Sequence, residues 1–302
     1  LRFTPRAFRK WSPGRVANTA FGAASFLVLE AVGGTLLLQY GFVNAFWAIL
    51  ATGLIIFLAG WPISVYAARH GVDMDLLTRG AGFGYIGSTI TSLIYASFTF
   101  IFFALEASIM AQAVEMEWGL PLAYGYVLCS VVIIPLVIHG VTLIGRVQAW
   151  TQPLWAVLMV LPFIAVFRKE PDMVNRLLAF TGGQPEGAHF DWVLFGSAST
   201  IAFSLIAQIG EQVDFLRFLP EKTASNRVRW WSALLIAGPG WIVMGAAKML
   251  AGALLALCAF GLQDSLGTNV KTAIPLYVCG LFVLCMFLHG EMARLRPALL
   301  AS

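Results

Sequence analysis

Long apolar blocks separated by short polar connections run through most of this chain. A helix needs about 20 apolar residues to cross the hydrocarbon layer of a membrane. Blocks of about that length or more predict eight spans, at 19–39, 43–66, 88–114, 121–141, 147–167, 192–210, 231–258 and 272–289. The pattern therefore predicts an all-α polytopic membrane protein with about eight transmembrane helices.

The composition supports a membrane protein and argues against several other classes. Of the 302 residues, 59% are hydrophobic and 11% are charged, whereas ordinary soluble domains are about 45–50% apolar and about 25% charged. So few charges do not cover a water-facing surface, which argues against a soluble enzyme, a disordered chain or a disulfide scaffold. The four cysteines form no CxxC pair, and no residues form a catalytic constellation. We therefore expect no enzymatic activity and no cofactor.

The positive residues fall in short clusters that predict the orientation of the chain. With the N-terminus in the cytoplasm, 14 of the 19 Lys and Arg residues lie on the cytoplasmic side, four lie outside, and Lys248 lies within a span. Positive residues favour the cytoplasmic side. The asymmetry predicts a cytoplasmic N-terminus in a multi-pass protein of the cell inner (plasma) membrane, with the lipid bilayer as a partner. Nucleic acid is not an expected partner, because its binders gather basic residues into one patch.

The first span carries a carboxyl group followed closely by two glycines. Charged groups at mid-membrane are costly, so Glu30 is expected to face a cavity or a partner. Gly33 and Gly34 weaken a helix, which favours a broken helix at a binding site. The alternative is a protonated, hydrogen-bonded Glu30 beside a small-residue packing face. Lys248 in the seventh span has three interpretations: it pairs with Glu30, pairs with Glu106, or extends its ammonium group to the interface.

Polar residues in the third span recur at steps of three and four, which places them on one face of a helix. They are Ser88, Ser92, Tyr95, Thr99, Phe102 and Glu106. An aromatic side chain one turn before a carboxyl group suits a flat heterocycle with N–H donors, which stacks on the ring and donates to the carboxylate. The alternative is a helix–helix contact made by small hydroxyl residues.

The sixth span has a similar polar face. It is formed by Ser197, Thr200, Ser204, Gln208 and Glu211. Such a face along a whole span predicts a water-lined path. Glu211 has an alternative interpretation as an ordinary residue at the cytoplasmic interface.

Two motifs carry a resemblance to a known family. The segment from Phe83-Gly84-Tyr85-Ile86-Gly87 to Gln112 resembles the third-helix region of the nucleobase:cation symporter-1 family, which includes cytosine, allantoin and hydantoin permeases. In that region the family has F-G-x-x-G and then W-x-x-x-Q, whose Trp stacks on the substrate and whose Gln hydrogen-bonds it. The aligned positions here are Phe102 and Glu106. The segment Asp214-Phe215-Leu216-Arg217-Phe218 resembles the family's D-[YF]-[ST]-R-[YF] signature.

The resemblance covers roughly residues 15–260 and implies both a fold and a function. The implied fold is a LeuT-type helical bundle of two inverted repeats, incomplete in this chain, with broken first and sixth helices. The implied function is cation-coupled uptake of a small nitrogenous heterocycle, such as a nucleobase or a hydantoin-like compound, with Na⁺ or H⁺ as the coupling ion. Glu106 departs from the family's Gln, because an ionised carboxylate only accepts hydrogen bonds. The family's cation site on the eighth helix is not recognisable, so the metal ligands stay unknown.

These observations give a set of expected site residues. The expected substrate-binding residues are Glu30, Gly33, Gly34, Phe102, Glu106, Ser204 and Gln208. Lys248 and Glu211 are expected to form an ion pair or to take part in coupling. A small-molecule ligand is an expected partner of the protein.

The expected organisation has three parts. Residues 1–18 form a basic cytoplasmic tail, 19–260 form the permease-like transmembrane domain, and 272–302 form an extra transmembrane helix with a basic C-terminus. The last part resembles the membrane region of spermidine-synthase-like fusion proteins. Residues 15–260 are also similar to the N-terminal membrane region of some bacterial hybrid sensor kinases. Two alternative functions follow: a ligand-sensing domain partnered by a cytoplasmic kinase domain, and a truncated fragment that does not transport.

Overall fold

Helices account for all the regular elements of the part of the chain that the structure describes. The structure is a computed structural model, and it describes residues 3–22, 26–138, 140–169 and 171–266. The prediction of an all-α fold is confirmed. The predicted span 272–289 and the whole segment 272–302 lie outside the described residues. The described chain forms two compact units, one from 1–104 and 171–258 and the other from 105–170 and 259–266.

The first unit begins with helix α1 (Pro13–Phe21) and the long helix α2 (Val28–His70). Ser12 starts α1, because its hydroxyl accepts a hydrogen bond from the Arg15 amide at 3.2 Å and proline follows at the first helical position. Gly41 interrupts α2 with φ 75° and ψ 167°, a backbone conformation that favours glycine. Gly41 therefore separates two helical sections, and it lies between the first and second predicted spans.

Helix α3 (Met74–Thr78) follows α2 and leads to a much longer helix. Asp73 caps α3 by accepting a hydrogen bond from the Leu76 amide at 2.9 Å. A single π-helical turn over Arg79–Phe83 then precedes helix α4 (Gly84–Trp118). Helix α4 carries the whole polar face of the third predicted span.

The second unit contains the end of α4 and two further helices. Helix α5 (Leu122–Ile138) and helix α6 (Gly140–Lys169) cover most of the fourth and fifth predicted spans. Gly125 of α5 lies close to α4, since a Cβ atom built on it would lie 3.2 Å from the Ala111 Cβ. A small residue at this position lets the two helices approach closely.

A folded loop connects the second unit back to the first. It contains helix α7 (Met173–Leu178) and a 3₁₀ turn at Pro185–Ala188. The loop packs over the Gly41 interruption, where the Phe42 amide donates to the Phe180 carbonyl at 2.9 Å and the Gly183 amide donates to the Leu38 carbonyl at 2.8 Å. These bonds satisfy backbone groups that the interruption of α2 leaves without helical partners.

The sixth predicted span is divided into three sections. Helix α8 (Trp192–Phe203) is followed by a 3₁₀ section (Ser204–Gln208) and then by helix α9 (Ile209–Leu216). A 3₁₀ stretch inside a long helix marks a change in backbone hydrogen bonding. A 3₁₀ section therefore interrupts the α-helical hydrogen bonding of the sixth helix, but the torsion angles at both ends of that section stay helical. The broken sixth helix that the resemblance implies stays a prediction.

The last described helices are α10 (Arg227–Ala237) and α11 (Trp241–Leu266). The two helices are bent by 42° at the break between them, which contains glycine, proline and glycine. By length and composition, three helical segments of the described residues could cross a membrane: Val28–His70, Met74–Glu115 and Trp192–Leu216. The bent pair adds a fourth if it counts as one span. The predicted count of eight and the cytoplasmic N-terminus stay predictions.

Many large apolar side chains point away from the first unit. Leu54 and Leu58 are 60% exposed and Ile86 is 76% exposed. Exposed apolar side chains in such numbers are unfavourable in water but suit a surface that faces lipid. Together with the long apolar helices, they identify a multi-pass membrane protein.

Candidate functional site

The first helix is interrupted before Val28. Helix α1 ends at Phe21, and Phe26 lies outside any helix just before α2 begins. The prediction of a break at Gly33 and Gly34 is therefore wrong about its position, because both glycines lie inside α2 without non-helical torsion angles. The broken first helix itself, which the resemblance implies, is present.

Gly33 and Gly34 instead form a close contact between α2 and α11. Both are buried, and a Cβ atom on Gly33 would collide with the Met249 carbonyl oxygen. In the opposite direction, a Cβ atom on Gly252 would collide with the backbone of Glu30. Only glycine lets the two backbones approach this closely, so the alternative of a small-residue packing face describes Gly33 and Gly34.

Lys248 of α11 reaches the interruption of the first helix. Its side chain is fully buried, and its Nζ lies 2.6 Å from the Phe26 carbonyl oxygen and 3.1 Å from Glu30 Oε2. Of the two carboxyl partners considered from the sequence, the structure brings Lys248 to Glu30. A buried ammonium group that is paired with a carboxylate and hydrogen-bonded to a carbonyl avoids the large cost of an isolated buried charge.

Aromatic side chains of α4 lie beside the same interruption. The Phe102 ring is 6.3 Å from the Phe26 ring, with 57° between their planes, and 4.5 Å from the Phe98 ring. Phe102 is half-buried. Phe26 therefore makes two contacts: its carbonyl group binds Lys248, and its ring contacts Phe102, which the resemblance assigns to substrate stacking.

The polar face of α4 also meets the interrupted sixth helix. Gly210 lies against the Tyr95 ring, since a Cβ atom built on Gly210 would lie 2.8 Å from Tyr95 Cδ2. Any larger residue at 210 would push this ring away. The α4 face thus contacts the break in the first helix through Phe102 and the start of α9 through Tyr95.

The predicted residues of the sixth helix have different environments. Ser204 begins the 3₁₀ section, is exposed, and donates its hydroxyl to the Ile201 carbonyl at 2.7 Å. Gln208 ends that section and is fully buried. Glu211 lies one turn further along, in α9, and is half-buried.

Gln212 is a candidate residue that the sequence analysis missed. It is 1% exposed, and neither its side-chain nitrogen nor its oxygen has a hydrogen-bond partner among the described residues. A buried amide without partners is costly, so it marks a place where a ligand or water would be stabilised. Its spacing of four from Gln208 was the available signal, but the predicted polar face ended at Glu211.

Glu106 lies one helical turn beyond Phe102 on α4. It is half-buried and belongs to the second unit. The structure therefore establishes its helical spacing from Phe102, and its role beside a ligand stays a prediction.

The motif at the end of the sixth helix ties several segments together. The Arg217 Nη1 lies 3.6 Å from Asp73 Oδ2, and its Nε donates to the Asp214 carbonyl at 3.1 Å. The neighbouring Phe218 ring stacks on Trp11 of the N-terminal tail, with 4.9 Å between ring centroids. These contacts join α9, the start of α3 and the tail, so this motif has a structural function at one end of the first unit.

Comparison with known proteins finds a similar sequence and a similar structure. The chain is 28% identical over 283 residues to a protein of Bacillus subtilis (strain 168) named "Putative purine-cytosine permease YxlA", covering 90% of this chain and 56% of the relative. The fold matches that of Mhp1, a nucleobase-cation-symport-1 family transporter in a closed conformation with bromovinylhydantoin bound, with a TM-score of 0.61 and 16% sequence identity. That match covers 95% of this chain and 62% of Mhp1. No protein-family model matches the chain.

This chain thus spans only somewhat more than half the length of each of these proteins. The relative is named a permease and Mhp1 a transporter, and this chain shares the LeuT-type fold of Mhp1. The comparisons therefore confirm the predicted resemblance: in sequence and in fold, this chain is similar to transporters of the nucleobase:cation symporter-1 family.

Proposed function

We propose that this chain takes part in secondary active transport, as cation-coupled uptake of a small nitrogenous heterocycle such as a nucleobase or a hydantoin-like compound. The observation that carries the proposal is the contact of Phe102 with Phe26, at a break in the first helix that also holds the buried pair of Lys248 and Glu30. Interrupted helices near the middle of a bundle are where transporters of this architecture bind substrates and ions.

The proposed binding mode follows from the chemistry of the side chains. A flat ring stacks on Phe102, and its N–H groups donate to Glu106 one turn away on α4. Ser204 and Gln208 supply hydrogen bonds from the interrupted sixth helix, and Gln212 extends this set by one turn. Glu30 stays paired with Lys248, while Gly33 and Gly34 support the site through the packing of α2 on α11.

The proposed coupling ion is Na⁺ or H⁺, which is driven by the gradient across the inner (plasma) membrane. Glu211 is the proposed carboxyl group for coupling, since it follows the 3₁₀ section of the sixth helix by a few residues. A carboxyl group next to a 3₁₀ section of a transmembrane helix suits a site that takes up and releases a cation.

Uptake into liposomes tests the proposal directly. The purified chain is reconstituted, and uptake of labelled cytosine, uracil, hypoxanthine and benzylhydantoin is measured with an inward Na⁺ gradient, an inward proton gradient or neither. Accumulation of one of them above its outside concentration, with a gradient and not without, is the expected result. Saturable binding without accumulation favours the alternative of a ligand-sensing domain that serves a kinase partner. Absence of both binding and accumulation for the whole panel contradicts the proposal.

Phe102→Ala is expected to weaken binding of the heterocycle found in that experiment. Loss of one aromatic stacking contact costs about 1–3 kcal/mol, which raises Kd by about 5- to 150-fold. Equilibrium binding to the protein in detergent gives Kd. Phe100→Ala is the matched control, because Phe100 lies on the same helix and is 72% exposed. Equal Kd values for Phe102→Ala, Phe100→Ala and the unchanged protein would show that Phe102 only packs against its neighbours.

Glu106→Gln is expected to change which heterocycle binds, or the pH dependence of binding, while the protein stays folded. An amide donates as well as accepts, so it restores the hydrogen-bonding pattern of the family motif. Competition binding across the same panel, at several pH values, measures the change. Glu115→Gln on the same helix is the matched control. An unchanged order of affinities together with an unchanged pH profile would remove Glu106 from the site.

A further inference from the structure

We propose that the ammonium group of Lys248 is a built-in cation, which occupies the place of a dissolved ion at the break in the first helix. The proposal rests on the proposed function in so far as that break is the binding site. It adds that the break itself binds no Na⁺, so that any coupling ion acts elsewhere in the protein.

The first support is the geometry around the Lys248 nitrogen. Carbonyl groups at the interruption of a transmembrane helix lack helical partners and are the usual ligands for cations in this architecture. Here the Phe26 carbonyl oxygen lies 2.6 Å from Nζ, and Glu30 Oε2 lies 3.1 Å from it. A neutral oxygen and an anionic oxygen on one positive centre are the ligand types that a hard cation prefers.

The second support is burial. The Lys248 side chain is among the largest fully buried side chains of the described residues, with 0% exposure. Lysines near the ends of spans usually extend their ammonium groups to the interface. Lys248 instead directs its charge towards the helix break, from a helix whose backbone is fixed against α2 at Gly33 and Gly252.

The third support is charge balance. The ammonium group and the Glu30 carboxylate together are neutral, so a dissolved Na⁺ beside them would add an uncompensated positive charge in a poorly hydrated environment. Such a charge is repelled by the ammonium group and loses its own hydration. The break is therefore stable in the absence of Na⁺.

Thermal unfolding of the chain in detergent tests this inference without any ligand or flux. The unchanged protein is compared with Lys248→Ala in solutions of sodium, choline or n-propylammonium chloride at one ionic strength. n-Propylammonium has the three carbons and the nitrogen that Lys248→Ala removes. Lys10→Ala is the control, because Lys10 is exposed in the N-terminal tail.

The expected result is that the unchanged protein and Lys10→Ala have equal Tm values in the three salts. Lys248→Ala is expected to gain roughly 2–4 °C or more in Na⁺ or n-propylammonium over choline, since either cation fills the vacated place. A folded Lys248→Ala that responds to neither cation would overturn the proposal. A rise in Tm of the unchanged protein that is specific to Na⁺ and is abolished by Glu30→Gln would overturn the proposal as well. If Lys248→Ala does not fold, this second comparison decides the question. These Tm measurements do not depend on transport, so they test this inference even if the proposed transport function is wrong.

Discussion

Lys248→Met alone is expected to destabilise the protein by about 3–5 kcal/mol, because it leaves the Glu30 carboxylate buried without its ammonium partner. The double variant Lys248→Met with Glu30→Gln is expected to cost less than Lys248→Met, since both charges are removed together. It still loses the hydrogen bond to the Phe26 carbonyl, which is worth about 1 kcal/mol. Reversible unfolding in mixed detergent, for the two single variants and the double variant, measures the coupling between the two side chains.

Lys10→Met is the matched control for this cycle and is expected to be neutral, because that side chain is exposed. If the costs of the two single variants add up in the double variant, Lys248 and Glu30 do not stabilise each other. The distance of 3.1 Å between them would then describe a contact without energetic importance.

Gly33→Ala is expected to destabilise the protein by about 1–3 kcal/mol, since its Cβ would overlap the Met249 backbone and force α2 and α11 apart. In an open helix the same substitution is neutral or stabilises by about 0.5–1 kcal/mol, because alanine favours the helix more than glycine does. Gly196→Ala is such a case: it lies in α8, and no atom lies within 4 Å of its added Cβ. The difference in unfolding free energy between the two variants isolates the cost of the close contact.

Equal stability of Gly33→Ala and Gly196→Ala would show that the two helices can separate without loss. Gly252→Ala provides a second test from the other side of the contact, because its Cβ would overlap the Glu30 backbone. The three variants share one chemical change and differ only in the space around it.

The sequence was sufficient to predict the fold class and several partners within the site. Long apolar blocks predict helices that cross a membrane, whatever their neighbours are. The polar face of α4 is set by helical spacing alone, and its residues Tyr95 and Phe102 do lie beside the interrupted sixth and first helices. For Lys248 the sequence left three possibilities, a pair with Glu30, a pair with Glu106 or extension to the interface, and the structure shows the pair with Glu30.

The position of the first break was not predictable from local propensity. The glycine pair at 33 and 34 has the weaker helix propensity, but packing against α11 keeps it helical. The segment between α1 and α2 contains Gly22 and Ser25 but no proline, and these two residues are a weaker signal for a break than the glycine pair at 33 and 34. Gln212 was missed because the step of three from Gln208 to Glu211 was followed and the step of four to Gln212 was not, and helical spacing alone does not decide between the two.

The contacts at Gly33 and Gly252 also determine which parts of the protein can shift separately. Backbone lies directly on backbone there, so the first section of α2 and α11 have to rock as one rigid body. The loop moves with them, because the Gly183 amide is bonded to the Leu38 carbonyl at the end of the first section of α2. The same loop is also bonded to Phe42, just beyond Gly41. The 42° bend before α11 separates this body from α10, which packs on α1.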